Sequence, residues 1–168
     1  MAAGEHKKDA PSVLTCAVLT VSDTRTGDTD GSGAAIRERL GAAGHLVVAY
    51  EIVRDEPAEV AARVRDLAGG GIQAVVLNGG TGIAARDNTY EALMGILDKR
   101  IDGFGELFRH LSYEDIGSPA MLSRAVAGVV GTTAVFALPG STAACELALD
   151  RLIVPELGHI AKLLGHRR

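Results

Sequence analysis

Residues 73–97 read QAVVLNGGTGIAARDNTYEALMGIL. The first six, Gln73–Asn78, are a short apolar run of the kind found where a strand is covered on both faces, as in parallel sheets. Gly79-Gly80-Thr81-Gly82 then turns the chain, and a helix is expected around Thr89–Leu97. Upstream, Val13–Ser22 is rich in Val, Leu and Thr and reads as a buried strand. A polar loop, Asp23–Gly31, follows. Ile36, Leu40 and Ala43 recur at i, i+4 and i+7, giving a helix that Gly44 can close. His45–Arg54 reads as a second strand. Pro57 suits a first helical turn, Val60, Val64 and Leu67 form that helix's buried stripe, and Gly69-Gly70-Gly71 ends it. Downstream, helices are expected over 105–115 and 118–128, then a strand over Thr133–Leu138. Pro139-Gly140-Ser141 is a turn with Ser141 as N-cap. The remainder is helical, kinked or split by Pro155, with Leu157, Ile160, Ala161 and Leu164 as its apolar face.

Strands alternating with helices predict an α/β fold with a right-handed, mostly parallel sheet sandwiched by helices. No internal repeat or linker interrupts the pattern, so residues 13–168 are read as one domain behind a polar tail, 1–12, expected to fray. The 168 residues suffice for one full core. Lys and Arg number 17 against 21 Asp and Glu, a net charge of −4, so the basic footprint of a nucleic-acid binder is missing. Aromatics make up 4% with no Trp, which argues against a base-stacking surface. Cys16 and Cys145 sit in apolar surroundings without metal-ligand spacing and read as buried free thiols in a reducing compartment. Lys7 and Lys8 precede an apolar stretch, Val13–Val21, but Glu5 and Asp9 and the lack of a small-residue cleavage site oppose a signal peptide. Residues 125–145 carry no charge, yet Gly128, Gly131, Pro139 and Gly140 interrupt them, so a strand between turns is expected and not a membrane span. The expectation is a cytoplasmic protein.

Open parallel sheets bind ligands beyond the carboxyl ends of their strands. That rule selects Ser22–Asp23, Asp55, Gly79–Asp87 and Pro139–Ser141. Three glycines in the four residues 79–82 exceed what one turn requires, and glycine lets backbone N–H groups approach a phosphate closely. The start of the next helix is expected to add a favourable dipole. No Gly-Lys pair exists, which excludes a P-loop. Residues 80–85 match the dinucleotide pattern G-x-G-x-x-A, but after the third strand and not the first. Asp87 ends the loop. If Asn88 caps the helix with Glu91 three residues on, Asp87 is free to face the strand ends. Asp55 follows a strand, and capping is its plain alternative. Two carboxylates beside a phosphate repel it unless a cation intervenes, and Mg²⁺ binds through one or two carboxylates plus substrate phosphates. Arg86 can help offset that charge, though a solvated surface residue is its plainer reading. Ser22-Asp23-Thr24 offers hydroxyls and an acceptor but taken alone is a turn, and Ser123-Arg124 reads as lying on a helix, as plain surface. The five His have neither ligand spacing nor a Ser or Cys partner.

VLTVSDTRTGDTDGSG (18–33), IVRDE (52–56), LNGGTGIAARDNTYEAL (77–93), GFGELFRHLSYEDIGSPAMLSRAVAG (103–128) and FALPGS (136–141) together resemble the molybdenum-cofactor biosynthesis proteins MoaB and MogA, and the Glu-Leu-Phe-Arg wording looks closer to MoaB. The resemblance implies a three-layer α/β/α sandwich, a trimer or hexamer, and Mg²⁺-dependent transfer of AMP from ATP to molybdopterin with release of pyrophosphate. It implies that Asp55 and Asp87 serve Mg²⁺ and catalysis, that Gly79, Gly80, Thr81 and Gly82 hold phosphates, and that Ser22, Asp23, Ser123, Pro139, Gly140 and Ser141 line the pocket, with Glu106 nearby. Arg54 stands where other members have Pro. A non-catalytic relative that binds molybdopterin or serves as a scaffold is the alternative. A nicotinamide-dependent oxidoreductase would rest only on the misplaced glycine pattern.

Overall fold

Residue 7 and residues 9–167 are described in the computed structural model. The strands are β1 (Thr15–Val21), β2 (Leu46–Val53), β3 (Ala74–Asn78), β4 (Lys99–Arg100), β5 (Val126–Val130) and β6 (Thr133–Leu138). They form one sheet in the order β2-β1-β3-β6-β5-β4. The pairs β2–β1, β1–β3 and β3–β6 are parallel, whereas β5 runs antiparallel to both β6 and β4. The helices are α1 (Gly31–Ala42), α2 (Pro57–Gly69), α3 (Thr89–Met94), α4 (Asp102–Ile116), α5 (Thr142–Ala148) and α6 (Val154–Leu163).

Side chains alternate across the strands and fill two cores. On one face Cys16, Val18, Val76 and Phe136 pack with Ile36 and Leu40 of α1, Phe104 and Phe108 of α4, and Leu157 of α6. On the other, Ala17, Leu19, Val75, Leu77 and Val135 meet Val60, Val64 and Leu67 of α2 and Leu93 of α3. The fold is therefore a three-layer α/β/α sandwich, as the alternating pattern required. Each fully buried Val, Leu or Phe contributes about 1.5–3 kcal/mol. The expected stripe of α2 is buried in full, and its helix starts at Pro57 and ends at Gly69.

The stretch expected as a helix over 118–128 is different. A 3₁₀ turn occupies Ser118–Leu122, and Val126–Val130 is strand β5. Gly131 and Thr132 join β5 to β6 as a two-residue hairpin, with Val130 paired to Thr133. Gly131 has φ +61 at the first central position, where such a turn favours glycine. The helix expected to reach Leu97 stops at Met94. Ser141 caps α5 by accepting from the Ala144 amide, and a π-helical turn, Leu149–Ile153, separates α5 from α6 just ahead of Pro155. Both cysteines are buried and unpaired, and burial pushes each thiol up to about 12, which leaves them unreactive. Among the described residues no helix is long and apolar enough to cross a membrane. Of the stretch expected to fray, residues 1–6 and 8 lie outside the described residues. Pro11 is buried, and Lys7 donates to the Pro155 carbonyl and pairs with Glu156 of α6.

Candidate functional site

The parallel register decides which loops meet. Val21 lies beside Val53, Thr20 beside Asn78, and Asn78 beside Leu138. The residues that leave β1, β2, β3 and β6 therefore emerge side by side at one end of the sheet, and these are the four segments expected to form the site. The ladder continues one step beyond the strands: the Ser22 amide donates to Val53 O and the Gly79 amide to Leu138 O.

Gly79 and Gly80 are glycines for steric reasons. Both have positive φ, +94 and +69. A Cβ on Gly79 would stand 2.3 Å from Val21 O, and one on Gly80 would stand 2.3 Å from Thr89 Oγ1 and 2.7 Å from Asp55 Oδ2. The loop that results is held by its carbonyls. Gly79 O accepts from Thr89 Oγ1 at 2.8 Å, Gly80 O from the Thr89 amide at 3.0 Å, Thr81 O from the Arg124 amide at 2.9 Å and Gly82 O from Arg124 Nε at 2.9 Å. The Gly79 amide is committed to the sheet. Among the described residues, the amides of Gly80, Thr81 and Gly82 donate to no acceptor. Three successive free N–H groups with every carbonyl tied back leave a positively polarised stretch of backbone suited to an anion. The expected helix dipole plays little part here, because α3 begins at Thr89 and is six residues long.

Both candidate aspartates border this loop. Asp55 is 6% exposed. It does not cap α2. Its Oδ1 instead accepts the Asn88 amide at 3.2 Å, and its own amide donates to Asp23 Oδ1. Burial raises its carboxyl above the usual carboxylate range. The Asn88 bond opposes that rise, the charges of Asp87 and Asp23 add to it, and Arg86 opposes it. Asp87 Oδ2 accepts the Ala84 amide at 2.8 Å and would lie 2.6 Å from a Cβ on Gly82. Asn88 makes no side-chain cap bond, so Asp87 is held by the loop itself, and Glu91 pairs with Arg124 in place of a capping box. Asp23 receives two bonds from Arg86, at 3.0 and 2.8 Å, and those bonds lower its carboxyl. Arg86 also reaches Glu56, so it bridges two loops and is more than a solvated surface residue.

The donor set suits a hard cation only in part. Among the described residues no group of three or more Asp, Glu, His or Cys side chains could hold a metal ion by itself. Asp55 and Asp87 offer carboxylate oxygens beside a bed of free amides. That arrangement fits an ion such as Mg²⁺, which fills most of its octahedron with water and phosphate oxygens.

The other expected residues divide. Ser22 Oγ accepts the amides of Thr24 and Arg25 and closes its loop. The Pro139–Ser141 turn lies against the cradle, since a Cβ on Gly140 would be 3.5 Å from Gly79 Cα. Pro139 O accepts from Cys145 Sγ, and Ser141 is occupied as N-cap. Ser123 is at the approach to β5 and not on a helix, and it lines a cavity of about 330 Å³ with Arg109, Tyr90 and Arg124. Glu106 is exposed on α4, and its carboxylate has no partner among the described residues. Four residues were not singled out for the site by the sequence. Thr89 and Arg124 anchor the loop. Arg25 donates to Gly140 O at 2.7 Å and to Asn78 Oδ1 at 3.4 Å, which ties three loops together. Asn78 Nδ2 donates to Thr20 Oγ1, itself bonded to the buried Asp30 that caps α1. A polar Asn closing an apolar strand was the available signal for that network.

The class of protein follows from comparison. Residues 17–159 match the model of a probable molybdopterin binding domain. The chain is 54% identical over 164 residues to molybdenum cofactor biosynthesis protein B of Halalkalibacterium halodurans, covering 96% of each chain. A crystal structure of molybdenum cofactor biosynthesis protein B superposes with TM-score 0.87 at 52% identity, over 93% of this chain and 98% of that one. A solved MogA gives TM-score 0.82 at 28% identity, over 89% and 99%. The chain belongs to the MoaB/MogA family of molybdenum cofactor biosynthesis proteins. Its role lies in the making of that cofactor.

Proposed function

We propose that the protein is a molybdopterin adenylyltransferase, which moves AMP from ATP to the terminal phosphate of molybdopterin and releases pyrophosphate. The observation that carries this reading is the loop 79–82, with three free amides and two aspartates at its edge. The reacting partners are both anions. A molybdopterin phosphate oxygen bonds to the α-phosphorus of ATP while the bond from that phosphorus to the bridging oxygen breaks, and pyrophosphate leaves with the electron pair. The nucleophile is already ionised, so the protein need not supply a base. Its work is positioning and charge stabilisation.

Gly80, Thr81 and Gly82 donate to phosphate oxygens. Gly79 sets the turn through its φ and its bond to Leu138 O. Asp55 and Asp87 would hold Mg²⁺, which when bound neutralises charge on the phosphates it shares. Ser22, Asp23, Ser123 and the Pro139–Ser141 turn would line the nucleotide and pterin pocket, with Glu106 as an outlying candidate. The trimer or hexamer implied by the family resemblance would find apolar surface on α4 and the turn after it, where Leu107, Tyr113, Ile116, Met121 and Leu122 are exposed.

Purified protein with ATP, Mg²⁺ and molybdopterin should release pyrophosphate, and Asp87→Ala should reduce release by at least about a hundredfold. Molybdopterin binding without release would leave the protein a binding relative and end the transferase reading.

A further inference from the structure

Arg124 sits outside the set of residues expected to touch substrate, yet it holds more of the cradle than any other side chain described above. Its backbone amide donates to Thr81 O at 2.9 Å. Its Nε donates to Gly82 O at 2.9 Å and its Nη2 to Asp87 O at 3.0 Å. Its guanidinium also forms a two-bond pair with Glu91 on α3 and lies 5.1 Å from the centre of the Tyr90 ring. One residue at the approach to β5 thus grips both ends of the segment 81–87.

The consequence for the amides is geometric. Each peptide unit is planar, so its N–H and C=O point in opposite directions. The Thr81 carbonyl belongs to the unit whose N–H is that of Gly82. Holding that carbonyl on the Arg124 backbone amide turns the Gly82 N–H the other way, and holding Gly82 O on the Arg124 side chain does the same for the Ile83 N–H. Holding Asp87 O fixes the backbone that carries the second aspartate. Lys cannot reproduce this, because one ammonium lacks the planar fork that meets Gly82 O, Asp87 O and Glu91 together.

We propose that Arg124 is a positioning residue for phosphate binding: by gripping the carbonyls of Gly82 and Asp87 while paired to Glu91, its side chain fixes the peptide that follows Gly82 and the backbone of Asp87, and so holds the end of the amide cradle and that aspartate toward the ATP phosphates. This rests on the adenylyltransferase reading. Arg124 touches no reacting atom and acts only through the loop.

The test combines kinetics with a binding readout that needs no turnover. In Arg124→Ala the KM for ATP should rise about tenfold or more while kcat falls less, because the amides hold ground state and transition state alike. Arg124→Lys should recover less than half of the lost affinity. Added guanidinium ion at millimolar concentration should restore part of it to Arg124→Ala and none to Lys. In ¹⁵N-labelled protein, inorganic pyrophosphate should shift the Gly82 and Ile83 amide signals of the wild type at concentrations where the variant's stay fixed. Glu91→Gln removes the charge that pairs with Arg124 without touching the loop, and it should show a smaller rise of the same sign. It serves as the test should Arg124→Ala fail to fold. Unchanged KM and unchanged pyrophosphate shifts in a folded variant, or full recovery by Lys, would overturn the proposal. Wild type that shifts with pyrophosphate but turns over no ATP would end the transferase reading and leave the positioning role standing on the binding data.

Discussion

Asp55 is costly to keep charged. It is buried, and the charges of Asp87 and Asp23 add to the effect of that burial. Without a ligand, its ionisation therefore works against the folded state. Asp55→Asn keeps an oxygen for the Asn88 amide and removes the charge. The ligand-free variant should melt about 2–4 °C higher, as a gain of ~1 kcal/mol does in a domain of this size, while pyrophosphate release is lost. A melting temperature equal to or below wild type would refute that reading of the site. Gly80 makes the opposite case. Its φ of +69 and the closeness of Thr89 and Asp55 leave no room for a methyl group. Gly80→Ala should lose about 1–2 kcal/mol from the backbone alone, with a further loss as Asp55 is displaced, read by thermal melting and ATP affinity. Both residues were legible as candidates, because glycine and a lone Asp after a strand carry their chemistry in the sequence. Arg124 was not. An arginine beside a serine reads as surface until the fold shows that its hydrogen bonds end on backbone carbonyls more than thirty residues away.

Among the elements, the parallel strands were the readable ones. Runs such as AVVLN and TAVFAL are apolar but for one end residue because both faces are covered, and their bounds fall where composition changes. β5 was hidden for the same reason in reverse. VAGVV follows a helix and a 3₁₀ turn, and its apolar side chains are equally compatible with one more buried helix. The distinguishing residue is Gly131, whose positive φ closes the hairpin. No atom lies within 4 Å of a Cβ placed there, so a substitution feels only the backbone strain. Gly131→Val should therefore destabilise the protein by about 1–2 kcal/mol in a denaturant melt, with ATP affinity unchanged because the hairpin turn is at the pole away from the cradle. A neutral result would show that the turn can change type without cost.

At the scale of the whole molecule the sheet has two working ends. The carboxyl ends of β1, β2, β3 and β6 carry the cradle and its aspartates, and the opposite end is closed by buried polar contacts that have no part in binding. There the Leu14 amide donates to His45 Nδ1 at 3.2 Å, which holds that nitrogen unprotonated, and Gln73 Oε1 accepts the Thr15 amide. His45 is buried, and burial lowers its pKa below the ordinary value of 6.5. The folded state thus prefers the neutral ring. Its contribution to stability is complete above pH 6.5 and declines as pH falls through the lowered folded value, because the unfolded chain takes up the proton first. Asp30 acts in a lower window. Burial opposes its charge, but the bonds from Thr20, Tyr50 and the Gly33 amide, with Arg25, outweigh burial and hold its carboxyl below 3.8, so its contribution disappears only in stronger acid. Denaturant midpoints should therefore begin to fall just below pH 6.5 in the wild type. In His45→Asn, which keeps an oxygen near the place of Nδ1 and has no proton to gain, that first decline should vanish while the steeper loss in strong acid remains. Parallel curves for the two proteins between pH 7.5 and 5 would show that His45 does not link protonation to folding, and that the closing of this pole is indifferent to the ring's charge.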